Sequence, residues 1–469
     1  MPHRIRRSLA EATATILALV ATVATSWLLT PSIGTAVLGA MLCLSLSRSQ
    51  LERDWRGRME AFVALPVIGL LAAGVGALLL NERIIGAAVY VVAMFLSVYL
   101  RRFGPVPRRI GSLLALPFIA LLVAPSPVPP GASGPGNVLV PALVALIAFG
   151  WVTIFQALGM LLRALPRPRA EAAETASGPA FRRPPRRAEG APRVDPTTRL
   201  ALQMALSLAL AFAIGFLFFA ERWAWVVLTV VVVAVGNTGR ADVLYKGIQR
   251  LVGAAVGTVL ALLALLLPTA AFGAPSPATL LLLLVVLFVA VFARPFGYLW
   301  WALLFTLALA VLQGFTPSAD GGGSGGFLLG ERLEEILLGS VLALAVAWFL
   351  LPVRSENTVR RRLAELLAAF QERLAAQTPE TAGQLADAEK SLKKVSAPYD
   401  TWRRIRRGAR RPRAGLWIAT ARDSVDLGRE GGGPAARKAL GDARRALREP
   451  DTLQPALEKL RTALAGKPE

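Results

Sequence analysis

Twelve apolar runs of roughly 15 to 25 residues, divided by short charged or Gly/Pro-rich stretches, leave this chain few ways to fold. They lie near 9–29, 33–47, 60–80, 84–100, 110–125 and 137–162, then near 200–220, 223–236, 248–268, 278–293, 297–313 and 330–351. A backbone inside lipid must satisfy its own polar groups, so long apolar runs of this kind become helices. The chain is 55% hydrophobic and only 17% charged, too much apolar side chain for one soluble core. Runs 33–47 and 223–236 are short for a full crossing. The first run fits a cleaved signal peptide poorly, because no small-residue cleavage site follows it and further spans come at once.

A formal charge of +22 raises the question of nucleic acid, which the distribution of that charge answers. Before the C-terminal region, one side of the twelve spans holds Arg4, Arg6, Arg7, Arg48, Arg53, Arg56, Arg58, Arg101, Arg102, Arg108 and Arg109. It also holds nine arginines from Arg163 to Arg199, then Arg240, Lys246, Arg250 and Arg294, which makes 24. The other side holds Arg83, Arg222 and Arg332. Such a bias is the positive-inside rule, and it places both termini in the cytoplasm. The opposite loops, PSPVPPGASGPG, LPTAAFGAPSP and TPSADGGGSGG, carry almost no charge and read as turns on the outer face. GNTGRADVLYKGIQR, between two spans, reads as an inner loop.

Shifting the second half back by 192 residues superposes Arg250 on Arg58, Arg240 on Arg48, Arg199 on Arg7 and Arg294 on Arg102. The two short spans coincide as well. The expected fold is an all-α polytopic membrane protein of about twelve transmembrane helices in two parallel six-helix repeats, with a cytoplasmic helical tail. Parallel repeats of this type are related by an axis along the membrane normal. The expected division is a first repeat at 1–162, a basic cytoplasmic linker at 163–199, a second repeat at 200–352 and the helical region at 353–469. The linker is rich in Pro, Ala and Arg, which cannot build a core, and contact with anionic lipids accounts for its charge. The tail pairs apolar residues at helical spacing with charged faces, as in VRRRLAELLAAFQERLAAQ, and suits a membrane surface or a docking partner. No nucleic-acid module surrounds its dense WRRIRRGARRPR run.

Chemistry-bearing motifs are few. His3 is the only histidine, no CxxC pair or HExxH occurs, and neither DGGGSGG nor GNTGR has the strand and GKS/GKT context of a nucleotide loop. The expectation is therefore no catalytic residue, no metal, no cofactor and no enzyme, but passage of a solute. Arg48, Arg58, Arg240, Lys246 and Arg250 are the candidates for attracting an organic anion at the inner mouth, set against a purely topological role. Arg58 and Arg250 stand out because each begins a long span in its own half. Glu60, Glu331 and Glu334, with Glu335 beside them, are candidates for coupling or ion pairing. Gly253 and Gly257 form GxxxG, which lets helices pack closely, and Gly339 is a third such position. Pro66 and Pro117 interrupt the hydrogen-bond ladder within their spans. Cys43 reads as packing, and Trp27, Trp223, Trp225, Trp300 and Trp301 as interface anchors.

The segment VGNTGRADVLYKGIQRLVGAAVGTVLALL resembles the loop-and-helix segment of the fusaric acid resistance-like family, which includes the aromatic acid exporters. The carriers of the resemblance are the short valine-rich span, the loop ending in Arg250 and the pair Gly257–Thr258. ERLEEILLGSVLALAVAWFLLP looks like the family's closing span, with Arg332, Gly339 and the helix end at Pro352. The resemblance covers about 200 to 352. Residues 1–162 look like a diverged copy, with Pro66 in the place of Thr258 and no glycine matching Gly257. It implies a multi-pass bacterial inner-membrane protein that exports aromatic or other organic carboxylates, sometimes with a periplasmic membrane-fusion partner. Anionic lipids and a second copy of the chain are further partners within this reading. The competing reading is a membrane scaffold or envelope-assembly protein without transport.

Overall fold

The computed structural model describes residues 2–51, 55–123, 139–162, 164–165, 196–220, 222–237, 239–265, 277–313, 325–350, 355–405, 413–429 and 431–466. All regular structure among them is helical. The outer loops and most of the basic linker read from the sequence lie outside these residues. The chain divides into two compact units, one of Met1–Val235 with Lys246–Leu351, the other of Gly236–Tyr245 with Pro352–Glu469.

The larger unit is built from α1 (Pro2–Leu29), α2 (Ile33–Leu51), α3 (Trp55–Asn81), α4 (Arg83–Tyr99), α5 (Pro105–Val123) and α6 (Val140–Leu161). Then come α7 (Pro196–Phe218), α8 (Trp223–Ala234), α9 (Arg240–Leu265), α10 (Pro277–Ala293), α11 (Tyr298–Gln313) and α12 (Gly325–Phe349). Among the described residues, seven helices are long and apolar enough to cross a membrane: α1, α3, α4, α5, α6, α7 and α10. Ile33–Ser47, Trp223–Ala234 and Tyr298–Leu312 are shorter apolar helices. The protein is all-α and largely membrane-spanning. At 1.5 Å per residue the 12 residues of α8 reach about 18 Å, well short of a hydrocarbon core of about 30 Å.

The surface of α3 shows what solvent this unit is built for. Val63, Val67 and Leu71, one turn apart, are more than half exposed, while Ala61, Leu65, Ile68 and Ala72 on the other face are buried. A stripe of bare aliphatic side chains suits acyl chains and would aggregate in water. Inside, α1, α2, α3 and α6 share one apolar core that also takes in Val286, Leu287 and Val291 of α10. Tyr90 of α4 is fully buried, donates its hydroxyl to the Phe118 carbonyl at 3.0 Å, and meets the rings of Phe118 and Phe212 edge-on.

Helix order and packing follow one pattern on both sides of the linker. Four helices are followed by a 3-10 turn, Leu100–Phe103 or Arg294–Phe296, then a glycine at positive φ, then two more helices. The glycines are Gly104 (φ 118°) and Gly297 (φ 152°), conformations that a Cβ would strain. Each 3-10 turn carries an arginine stacked on a nearby aromatic ring, Arg102 on Tyr99 and Phe103, and Arg294 on Trp301 at 4.1 Å. The first helix packs on the second and sixth in either half, and α4 packs on α7 as α1 packs on α10.

One expectation is corrected. GNTGRADVLYKGIQR is not a loop throughout, since α9 begins at Arg240 and only 235–239 separate it from α8. Gly236, at φ 75°, turns the chain out of α8, and Asp242 in the first turn of α9 favours the positive helix start. Lys246 then donates from Nζ to the Val235 carbonyl at 2.9 Å, at the negative end of α8. Charged residues in the opening turns of a helix had the composition of a loop.

The second unit contains α13 (Ser355–Ala375), α14 (Pro379–Ile405), α15 (Arg413–Leu427), α16 (Pro434–Ala446) and α17 (Pro450–Ala465). Leu363, Leu366, Leu367 and Phe370 of α13 close on Trp417, Ile418, Leu440, Leu457 and Leu460. Arg422 reaches Asp400 at 3.2 Å and Ser396 at 2.5 Å, and Ser396 donates to Asp400, a half-buried polar clasp between α14 and α15. Thr401 donates to the Tyr245 hydroxyl at 3.2 Å, tying Gly236–Tyr245 into this unit. Side chains 402–412, and with them most of the WRRIRRGARRPR run, lie outside the described residues.

Candidate anion site

Helix α9 lines up Asp242, Lys246 and Arg250 at intervals of four residues, so they descend one face, and Gly253 and Gly257 continue it. At the two glycines the face meets α11. A Cβ on Gly253 would lie 2.8 Å from the Ala302 Cβ and 3.0 Å from the Leu303 nitrogen. On Gly257 it would lie 2.7 Å from the Leu303 carbonyl oxygen. Glycine is what lets these backbones touch. Gly339 of α12 does the same against α8, where a Cβ would come within 2.8 Å of the Val226 carbonyl oxygen and the Thr229 Cβ.

Just before that contact stands Arg250, only 3% exposed. Its Nε has no hydrogen-bond partner among the described residues, and it lies within electrostatic reach of Tyr298, the residue that opens α11. The Tyr298 hydroxyl is likewise buried without a partner. A buried guanidinium is expensive unless something negative or strongly accepting meets it. Both are donors buried without a hydrogen-bonded acceptor among the described residues.

The other candidates fall elsewhere. Lys246 is half-buried and spent on the Val235 carbonyl, and Arg240 is half-buried with a partner of its own. Arg58 is half-buried, and the side chain of Arg48 lies outside the described residues. Arg250 and Lys246 are thus one turn apart on α9, whereas Arg58 belongs to α3. Glu60 pairs with Arg109 of α5, whose Nη1 is 3.4 Å from both carboxylate oxygens. Glu334 is exposed, the Glu331 side chain lies outside the described residues, and the buried acid of α12 is Glu335, at 1% exposure. Glu335 was legible as the residue one turn from Gly339 on the packing face. Tyr298 carried no such sign, because only the register of α9 on α11 brings it level with Arg250.

A cleft bounded by Leu38, Leu42, Gly69, Ala72, Pro117 and Pro141 is apolar and offers no group to hold a charge. Among the described residues no three His, Cys, Asp or Glu side chains gather as a metal site.

Residues 207–346 match the model of a family described as Fusaric acid resistance protein-like. The matched segment runs from within α7 to near the end of α12, and takes in Arg250, Tyr298 and all three packing glycines. It is the family that the residues of 200–352 resemble. No curated protein matches the chain. A polytopic membrane protein with this match is consistent with a role in membrane transport, and with a bacterial inner-membrane family.

Proposed function

We propose that this protein exports aromatic or other organic carboxylates across the bacterial cytoplasmic membrane and performs no catalysis. The observation that carries the reading is Arg250, a guanidinium buried within the family-matched segment with an unsatisfied Nε. An anion in transit supplies the acceptor that the protein withholds. The proposed frame is twelve spans in two parallel six-helix repeats, with both termini cytoplasmic. It is supported by the repeated helix order, the matching 3-10 turns and the reciprocal packing of α4 on α7 and α1 on α10. The basic residues collect anions on the cytoplasmic side.

The test is efflux from proteoliposomes loaded with a panel of aromatic carboxylates, with and without a pH gradient. Saturable flux is expected, reduced about tenfold to a hundredfold in Arg250→Ala, the range for losing a hydrogen bond to a charged group. Arg250→Lys keeps the charge and guards against a misfolded variant. A reporter fused after Arg187 should read as internal and one after Pro130 as external. Absence of flux from folded protein for every acid would favour the membrane-scaffold reading instead.

A further inference from the structure

We infer that Tyr298 is the second ligand of the Arg250 site, its phenolic O–H and the guanidinium donating together to one carboxylate. The inference rests on the proposed anion transport and names the residue that sets its specificity.

The register of two helices places Tyr298. A Cβ on Gly253 would meet Leu299, Ala302 and Leu303, and one on Gly257 would meet Leu303 and Thr306. Four residues along α9 therefore correspond to about four along α11, so the helices run parallel with a near-constant offset. Carried back three residues from Gly253, that offset sets Arg250 level with Tyr298. The mutual electrostatic influence of the two side chains agrees.

Chemistry then selects the occupant. Arg is donor-only, and a phenol donates readily, so both groups lack the same thing, an acceptor. A carboxylate offers two oxygens and can take the guanidinium on one and the phenol on the other. Tyr298 is also the first residue of α11, whose first-turn N–H groups have no intrahelical partners and favour negative charge. The glycine contact closes the gap between α9 and α11 immediately beyond, so between these two helices an anion reaches Arg250 from the helix starts. The 192-residue shift puts Val106 opposite Arg58, which leaves that half without a phenol to offer.

Binding of benzoate to the full-length protein in detergent, by calorimetry, tests this, with benzamide as the uncharged control of the same shape. Tyr298→Phe should weaken benzoate about fivefold or more while leaving the melting midpoint of the unliganded protein in place. Arg250→Lys should weaken it as well. Unchanged benzoate affinity in Tyr298→Phe with loss in Arg250→Lys would remove Tyr298 from the site and leave the transport reading standing. A lowered unliganded midpoint with unchanged affinity would assign the hydroxyl to packing and overturn the inference. Wild-type protein that binds benzoate no better than benzamide would overturn both readings.

Discussion

Where α3 meets α5, a charge finds its partner, and where α9 meets α11, the Nε of Arg250 finds none among the described residues. In the first half Glu60 and Arg109 pair across the two helices, Ala61 and Leu65 are buried apolar packing, and Arg58 stays half in solvent. In the second half the positions shifted by 192 are Val252, Trp301, Gly253, Gly257 and the buried Arg250. The offset from Glu60 to Arg109 is 49 residues and from Arg250 to Tyr298 it is 48, so the two interfaces share a register. One interface holds an ion pair, and the other holds a buried arginine whose Nε has no hydrogen-bond partner among the described residues. Halves with the same helix order need not divide a function equally.

The largest expected effect is on stability, and it comes from opposite changes of volume in the two halves. Leu65→Ala empties a fully buried site and should lower stability by about 2–5 kcal/mol. Gly257→Ala adds a methyl group 2.7 Å from the Leu303 carbonyl oxygen and should lower it by about 1–3 kcal/mol through overpacking. Enlarging one position and shrinking its counterpart are then both harmful, which thermal unfolding in detergent would read. A neutral Gly257→Ala would mean that α9 and α11 do not touch as described.

Next in size is the contrast between arginines. Arg250→Ala should reduce carboxylate flux about tenfold or more, whereas Arg58→Ala, acting from a half-solvated position, should change it less than about threefold. Equal losses in the two variants would restore symmetry between the halves and assign both arginines to the path.

The smallest effect is expected at Glu60. Both members of the Glu60–Arg109 pair are 30% exposed, so Glu60→Gln should change stability by less than about 1 kcal/mol. The response of flux to a pH gradient should persist in that variant. Its disappearance would give Glu60 a coupling role that the ion pair with Arg109 argues against.

What the sequence disclosed divides along physical lines. Apolar runs are legible because lipid admits little besides helix, and the runs at 60–80 and 223–236 are helical, the first as the long Trp55–Asn81 and the second as the short Trp223–Ala234. The start of α9 is hidden because Arg240, Asp242 and Lys246 have loop composition, yet Asp242 and Lys246 are spaced one turn apart on a single helix face. Arg250 was visible as a repeated basic position, but its burial was not. Tyr298 and the Glu60–Arg109 pair depend on how two helices separated by some 48 residues slide against each other, which no local pattern encodes. The grouping of Gly236–Tyr245 with the C-terminal helices was equally hidden, since it hangs on contacts such as Thr401 to Tyr245 across 156 positions.

Gly104 and Gly297 carry a mechanical consequence. Each is the one non-helical residue between a 3-10 turn and the helix that follows, and each holds a backbone angle few other residues tolerate. Such a joint has no spare length, so α10 cannot slip by a turn along α11 without tearing the joint apart. The two limbs pack against each other across this one-residue joint, so a displacement of α11 at Tyr298 has little slack to take up before it reaches α10. A passenger anion that shifts Tyr298 would thereby tilt a two-helix lever whose far limb, α10, already bears on α1.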